Sequence, residues 1–179
     1  MAWRIKTPCQ LQFLGPTQSG KSYLIRQLLD QQKRVFDRPF GHVVYSSPLA
    51  SETDDDGAGE DRHSPYVESL KRICDRQNVS LNVANRVPTR EEILEIWRAD
   101  RNPLLLILDD LQCFDQADLT RRLSRLSNLE SHHSEISFLY SLQNCFDHTG
   151  PLRNLVTLTR NSSGKFLMYQ VCQNAKNIF

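Results

Sequence analysis

Gly15, Pro16, Thr17, Gln18, Ser19, Gly20, Lys21 and Ser22 follow one another as Gly-x-x-x-x-Gly-Lys-Ser, a spacing suited to binding phosphate. The glycines let the backbone curl until successive N–H groups point at phosphate oxygens. A helix beginning at Lys21 turns the positive end of its dipole on the same anion. Lys21 is then placed to reach the β- and γ-phosphates of ATP, and the Ser22 hydroxyl to complete a Mg²⁺ shell. Asp109 and Asp110 end an unbroken aliphatic run, residues 104–108. Asp109 is expected to hold Mg²⁺, directly or through water, and Asp110 to orient and polarise an attacking water. Gln143 ends another apolar run, residues 136–142. Its amide is positioned to touch the γ-phosphate or that water. ATP and Mg²⁺ are therefore the expected cofactors, and hydrolysis the expected reaction.

The elements that must hold these groups are legible from periodicity. Residues 10–14 alternate and run into Gly15, which predicts a strand followed by a turn. Leu24, Ile25, Leu28 and Leu29 fall at helical spacing, with Arg26, Gln27, Gln31 and Gln32 on the wet side. Residues 42–46 read as a second strand. Ser64 and Pro65 suit an N-cap and a first helical position, ahead of a stripe of Val67, Leu70, Ile73 and Cys74. Val79, Leu81 and Val83 alternate as a short strand. Thr89 and Glu92 fit a capping box ahead of Ile93, Leu94, Ile96 and Trp97, and Pro103 closes that helical region. Residues 104–108 have the continuous apolar character of a strand buried on both faces. Leu119, Leu123, Leu126 and Leu129 predict one more amphipathic helix, and residues 136–142 and 166–171 two more strands. Strands alternating with helices predict an α/β fold around a mainly parallel sheet.

The 179 residues carry 22 Lys+Arg against 21 Asp+Glu, a length that suits one domain over residues 1–179. Apolar content of 39% and charged content of 24% exclude wholesale disorder, collagen and coiled coil. The near-neutral total hides unevenness. Residues 51–61 hold six acids (Glu52, Asp54, Asp55, Asp56, Glu60 and Asp61) and no base, so 51–63 is expected to be a solvated acidic loop. No aliphatic run is long enough to span a membrane, and the first residues lack the apolar core of a secretory signal. Five scattered cysteines fit reduced thiols. Intracellular residence is expected, in a host nucleus or cytoplasm.

Four stretches in this order resemble one family, the genome-packaging ATPases of the FtsK/HerA superfamily. The likeness is greatest to those of poxviruses, giant viruses, virophages and Maverick/Polinton elements. The stretches are residues 13–29, residues 38–45, residues 107–111 with their two aspartates, and Ser131-His132-His133 ahead of residues 136–144 and Phe146. The resemblance implies a three-layer P-loop NTPase core of the ASCE, RecA-like type and a sensor role for Gln143. It also implies assembly into a homo-oligomeric ring, movement of double-stranded DNA, and capsid proteins as further partners. Such rings need an arginine from a neighbouring subunit, and Arg153, with Arg160 second, lies where one is expected. Relatives ordinarily continue beyond the last strand, so a chain ending at Phe179 is expected to be a fragment or a decayed genomic copy. Two other functions use the same motif: a small-molecule kinase, and a degenerate nucleotide-binding scaffold without motor activity. A kinase wants an arginine-bearing lid, which the acidic stretch does not provide. Intact Lys21, Ser22, Asp109 and Asp110 argue against a scaffold. For Arg121, Arg122 and Arg125 on one helix, a solvated face is favoured over phosphate contact.

Overall fold

The computed structural model describes residues 4–52, 62–127, 135–143 and 166–170. Its centre is a six-stranded sheet in which every pairing is parallel. In chain order the strands are β1 (Gln10–Leu14), β2 (His42–Ser46), β5 (Ser80–Ala84), β6 (Leu104–Leu108), β7 (Ile136–Leu142) and β8 (Phe166–Gln170), counting a small separate ladder, β3 (Ser51–Glu52) and β4 (Arg62–His63). Across the sheet the order is β5-β2-β6-β7-β1-β8. Parallel neighbours need crossovers, and helices supply them: α1 (Lys21–Asp30), α2 (Gln32–Val35), α3 (Pro65–Gln77), α4 (Arg90–Asp100) and α5 (Gln116–Ser127).

Two apolar clusters lie on the two faces of this sheet. One gathers Ile25, Leu28 and Leu29 of α1 and Val67, Leu70 and Ile73 of α3 over Leu11, Phe13, Leu105, Ile107 and Leu139. The other gathers Ile93 and Leu94 of α4 and Leu119 and Leu126 of α5 over Leu104, Leu106, Leu108, Phe138 and Tyr140. β6 feeds alternate residues to each cluster, so all five of its side chains are buried. That is why its sequence shows no alternation. β5, at the sheet edge, leaves Leu81 and Val83 only partly covered.

The helix starts follow the sequence signals. Ser64 Oγ accepts from the Val67 N–H at 3.4 Å, with Pro65 in the first turn. Thr89 and Glu92 form a complete capping box. Two expectations need correction. Gln32 is not on a wet face: it is 2% exposed, and its Oε1 accepts from the Phe40 N–H at 2.7 Å. The acidic stretch is not loop from end to end, because β3 and β4 pair antiparallel (Ser51 with His63, Glu52 with Arg62) and bracket it; residues 53–61 lie outside those described. Among the described residues no helix is long and apolar enough to cross a membrane.

Candidate functional site

The loop of residues 15–22 leaves the C-terminal end of β1 and enters α1. Its entry is anchored by the Gly15 N–H, which donates to Leu142 O at 3.2 Å, and its turn by the Ser19 N–H, which donates to Pro16 O at 3.2 Å. Gln18 and Gly20 hold φ of 63° and 93°, a left-handed backbone that glycine adopts without steric penalty. A Cβ at Gly20 would meet nothing within 4 Å, so glycine is needed there for its φ and not for space. Unlike α3 and α4, α1 begins with no side-chain cap and no acid in its first turn. Its leading N–H groups and dipole therefore remain available to an anion.

Lys21 folds back over this loop. Its Nζ donates to Gly15 O at 2.8 Å and Pro16 O at 3.0 Å, and the residue is 6% exposed. Burial lowers its pKa below the ordinary lysine value, while the Asp110 and Asp109 carboxylates oppose the fall. Ser22 is exposed, and its carbonyl accepts from Tyr66 Oη at 3.2 Å.

Asp109 and Asp110 follow β6, which is not next to β1; β7 runs between them. Asp109 is 3% exposed. Its Oδ2 accepts from Tyr45 Oη at 3.0 Å and its Oδ1 from the Asp110 N–H at 3.1 Å. Burial raises its pKa, Asp110 adds to the rise, and the Ser141 and Tyr45 hydroxyls oppose it. Asp110 is half-buried in left-handed backbone, φ 51°. The Cys113 thiol is held above its ordinary pKa by burial first and then by the negative charge of Asp110. The field around the aspartate pair thus favours cations.

Gln143, at the end of β7, stands between the halves. Its Oε1 accepts from Thr17 Oγ1 at 3.0 Å, and its N–H donates to Gln112 Oε1 at 3.4 Å. Gln112 Nε2 donates in turn to Asp110 Oδ1 at 3.1 Å. Hydrogen bonds therefore run from the 15–22 loop through Gln143 and Gln112 to Asp110.

Sequence reasoning missed Gln112, Tyr45 and Tyr66. Tyr45 is the penultimate residue of β2, the neighbour of β6, in register with Ile107, and its ring lies 5.7 Å from that of Tyr66 on α3. The two phenols touch both sides of the site, Tyr45 at Asp109 and Tyr66 at Ser22. The signal that could have found Tyr45 is a phenol at the C-terminal end of the strand beside the aspartates. Arg153 and Arg160, proposed for a subunit interface, lie outside the described residues, as do His132 and His133.

Among the described residues no three His, Cys, Asp or Glu side chains gather to hold a metal. The donors available are the Asp109 and Asp110 carboxylates and the Ser22 hydroxyl. Such a sparse oxygen set suits Mg²⁺, which takes one or two carboxylates and fills its shell with water and substrate phosphates. The chain matches no protein-family model and no curated protein.

Proposed function

We propose that this chain is an ATP-hydrolysing ATPase with a P-loop core of the ASCE type, serving as the motor subunit that drives double-stranded DNA during packaging by a virus or virus-like element. The observation that carries the hydrolase reading is the position of β7. With a strand between the loop strand and the aspartate strand, Gln143 is hydrogen-bonded to Thr17 of the loop and, through Gln112, linked to Asp110, which supports a role for its amide between a γ-phosphate and an attacking water.

The residues divide the work. The 15–22 backbone and the start of α1 would bind the phosphates, with Lys21 exchanging its two carbonyl partners for phosphate oxygens. Ser22 and Asp109 would hold Mg²⁺, which would supply charge neutralisation for the bound phosphates. Tyr45 fixes the Asp109 carboxylate and favours its ionised form. Asp110 would accept the proton of the attacking water. The motor role, the ring, the DNA partner and an Arg153 reaching into a neighbour's site rest on the likeness to packaging ATPases.

Phosphate release measured with and without linear duplex DNA tests the reading, with Lys21→Ala as the control. The expected result is Mg²⁺-dependent turnover, stimulated by DNA and abolished in the control. Turnover only in the presence of a small-molecule acceptor would make the chain a kinase, and binding without turnover a scaffold. If turnover is DNA-stimulated, mixing Arg153→Ala with Lys21→Ala subunits should restore part of it, because some interfaces then regain both an intact loop and an intact arginine.

A further inference from the structure

A second feature lies along α1, beyond the loop. Between α1 and α3 runs a groove of about 250 Å³, lined by Arg26 and Asp30 from one helix and by Ser69, Arg72 and Arg76 from the other. Three guanidinium groups there face one carboxylate. Asp30 is engaged by Arg76, and among the described residues Arg72 has no ion pair. Arg72 and Arg76 are four residues apart on one helix face, a spacing at which like charges repel. Arg26 is half-buried, and its Nε is closed off from solvent without a hydrogen-bond partner. A buried donor without an acceptor is uncommon in a folded protein and calls for a cause. Apart from the charge of Arg26 acting on Tyr66, none of these side chains meets the 15–22 loop or the aspartates, so the nucleotide reading leaves the cluster unexplained.

We propose that this groove is an oxyanion site that takes a phosphate group. Guanidinium forks match phosphate oxygens in pairs, and a phosphate between Arg26 and Arg72 would offset the Arg72–Arg76 repulsion; a turn of the Arg26 side chain would bring its Nε, closed to solvent as it stands, to the same acceptor. The volume falls below the roughly 300–1,000 Å³ of pockets that enclose whole small molecules. The site therefore suits an isolated phosphate or diphosphate group, either free or at the surface of a polymer that stays outside the groove.

The test is residue-resolved. Arginine Nε–Hε resonances are followed by nitrogen–proton correlation spectra of the wild-type protein while inorganic phosphate is added at constant ionic strength. Arg26 and Arg72 should shift together and saturate. Phosphate taken by the 15–22 loop would instead move Gly20 and Lys21, so failure of the ATPase reading leaves this result intact. Arg72→Gln should weaken the saturable shift of Arg26 by about tenfold, the loss of one charge-assisted pair, and Arg72→Lys by less. Both substitutions fall on a solvent-lined groove, and circular dichroism checks that the fold is kept. Shifts that grow without saturating, or an Arg26 response unchanged in Arg72→Gln, would overturn the proposal. A short duplex oligonucleotide in place of phosphate separates the two sources. Tighter saturation of the same resonances identifies a polymer phosphate, and no response beyond that of phosphate alone identifies a free anion.

Discussion

Replacing Lys21 with methionine keeps an unbranched stem and removes the charge. The ammonium donates to two loop carbonyls, Gly15 O and Pro16 O. A bound triphosphate has to compete with them, so Lys21 gains the difference between two sets of acceptors. Unit charges about 4 Å apart attract by about 4 kcal/mol at an effective dielectric constant near 20, so the β- and γ-phosphates together attract the ammonium by about 8 kcal/mol. Each hydrogen bond surrendered by a charged donor is worth about 1.5–3 kcal/mol, about 3–6 kcal/mol for the two. What remains is about 2–5 kcal/mol, a loss of roughly 30- to 4,000-fold in ATP affinity for Lys21→Met. Titration calorimetry with Mg·ATP, Mg·ADP and AMP should find the loss largest for ATP, smaller for ADP and negligible for AMP, which has no β- or γ-phosphate. Equal ATP affinity would refute the reasoning. So would an AMP loss as large as the ATP loss, because the substitution would then have collapsed the loop. The fold itself supplies a second check. Lys21 has a folded pKa below 10.5 because burial outweighs its attraction to the aspartates. The charged lysine therefore costs stability at neutral pH, and that cost is relieved as pH rises from the folded value towards 10.5. Wild-type stability should climb over that alkaline limb relative to Lys21→Met.

Asp110→Asn should bind ATP nearly as the wild type does and lose turnover by about 10²–10⁴-fold, the usual worth of a positioned base, measured by binding and single-turnover assays. Tyr45→Phe removes a donor from a buried carboxylate, so denaturant melts should show about 1.5–3 kcal/mol less stability at neutral pH. Because Asp109 already has a raised pKa, losing that donor pushes it higher, and the deficit should shrink as pH falls and Asp109 is protonated. More Mg²⁺ should then be needed for half-maximal turnover. Glu92, held at a pKa of about 2 first by Arg86 and then by the Thr89 N–H, stabilises the fold above about 4.5, and that contribution is lost as pH falls through about 2. Glu92→Gln should flatten the acid limb of the stability–pH profile by less than about 1 kcal/mol, measured by denaturant melts, since the pair is exposed.

The parts of this fold that were legible in the sequence are those in which local chemistry and tertiary structure agree. Ser64 and Thr89 announce α3 and α4 because a cap is a contact between near neighbours. Residues 104–108 announce β6 because only a strand covered on both faces tolerates five aliphatic residues in a row. Lys21 and the aspartates were legible because their spacing has a chemical reason. What escaped depends on distant partners. Gln32 reads as solvated until Phe40 supplies the N–H it accepts. Ser51 and Arg62 carry no strand signal, since a two-residue ladder is specified by its partner and not by a pattern. Nothing local marks Tyr45 or Tyr66, and only the folded arrangement brings their hydroxyls to Asp109 and the Ser22 carbonyl. The arginines of the α1–α3 groove look like a wet face because periodicity does not say which helix lies opposite.

The place of β7 also bears on how the protein is made. β1 is synthesised early, yet the residue that Cys9 bonds at its start is Ser137, 128 positions later, and both strands that flank β1 come from the second half of the chain. At roughly 5–20 residues per second on the ribosome, β1 waits roughly 6–25 s for its first partner. Throughout that interval it exposes two unpaired strand edges, and the 15–22 loop has no Leu142 carbonyl to anchor it. Ribosome-bound chains halted before β7 emerges should leave the loop open to protease even in saturating nucleotide, whereas chains halted well beyond residue 143 should protect it.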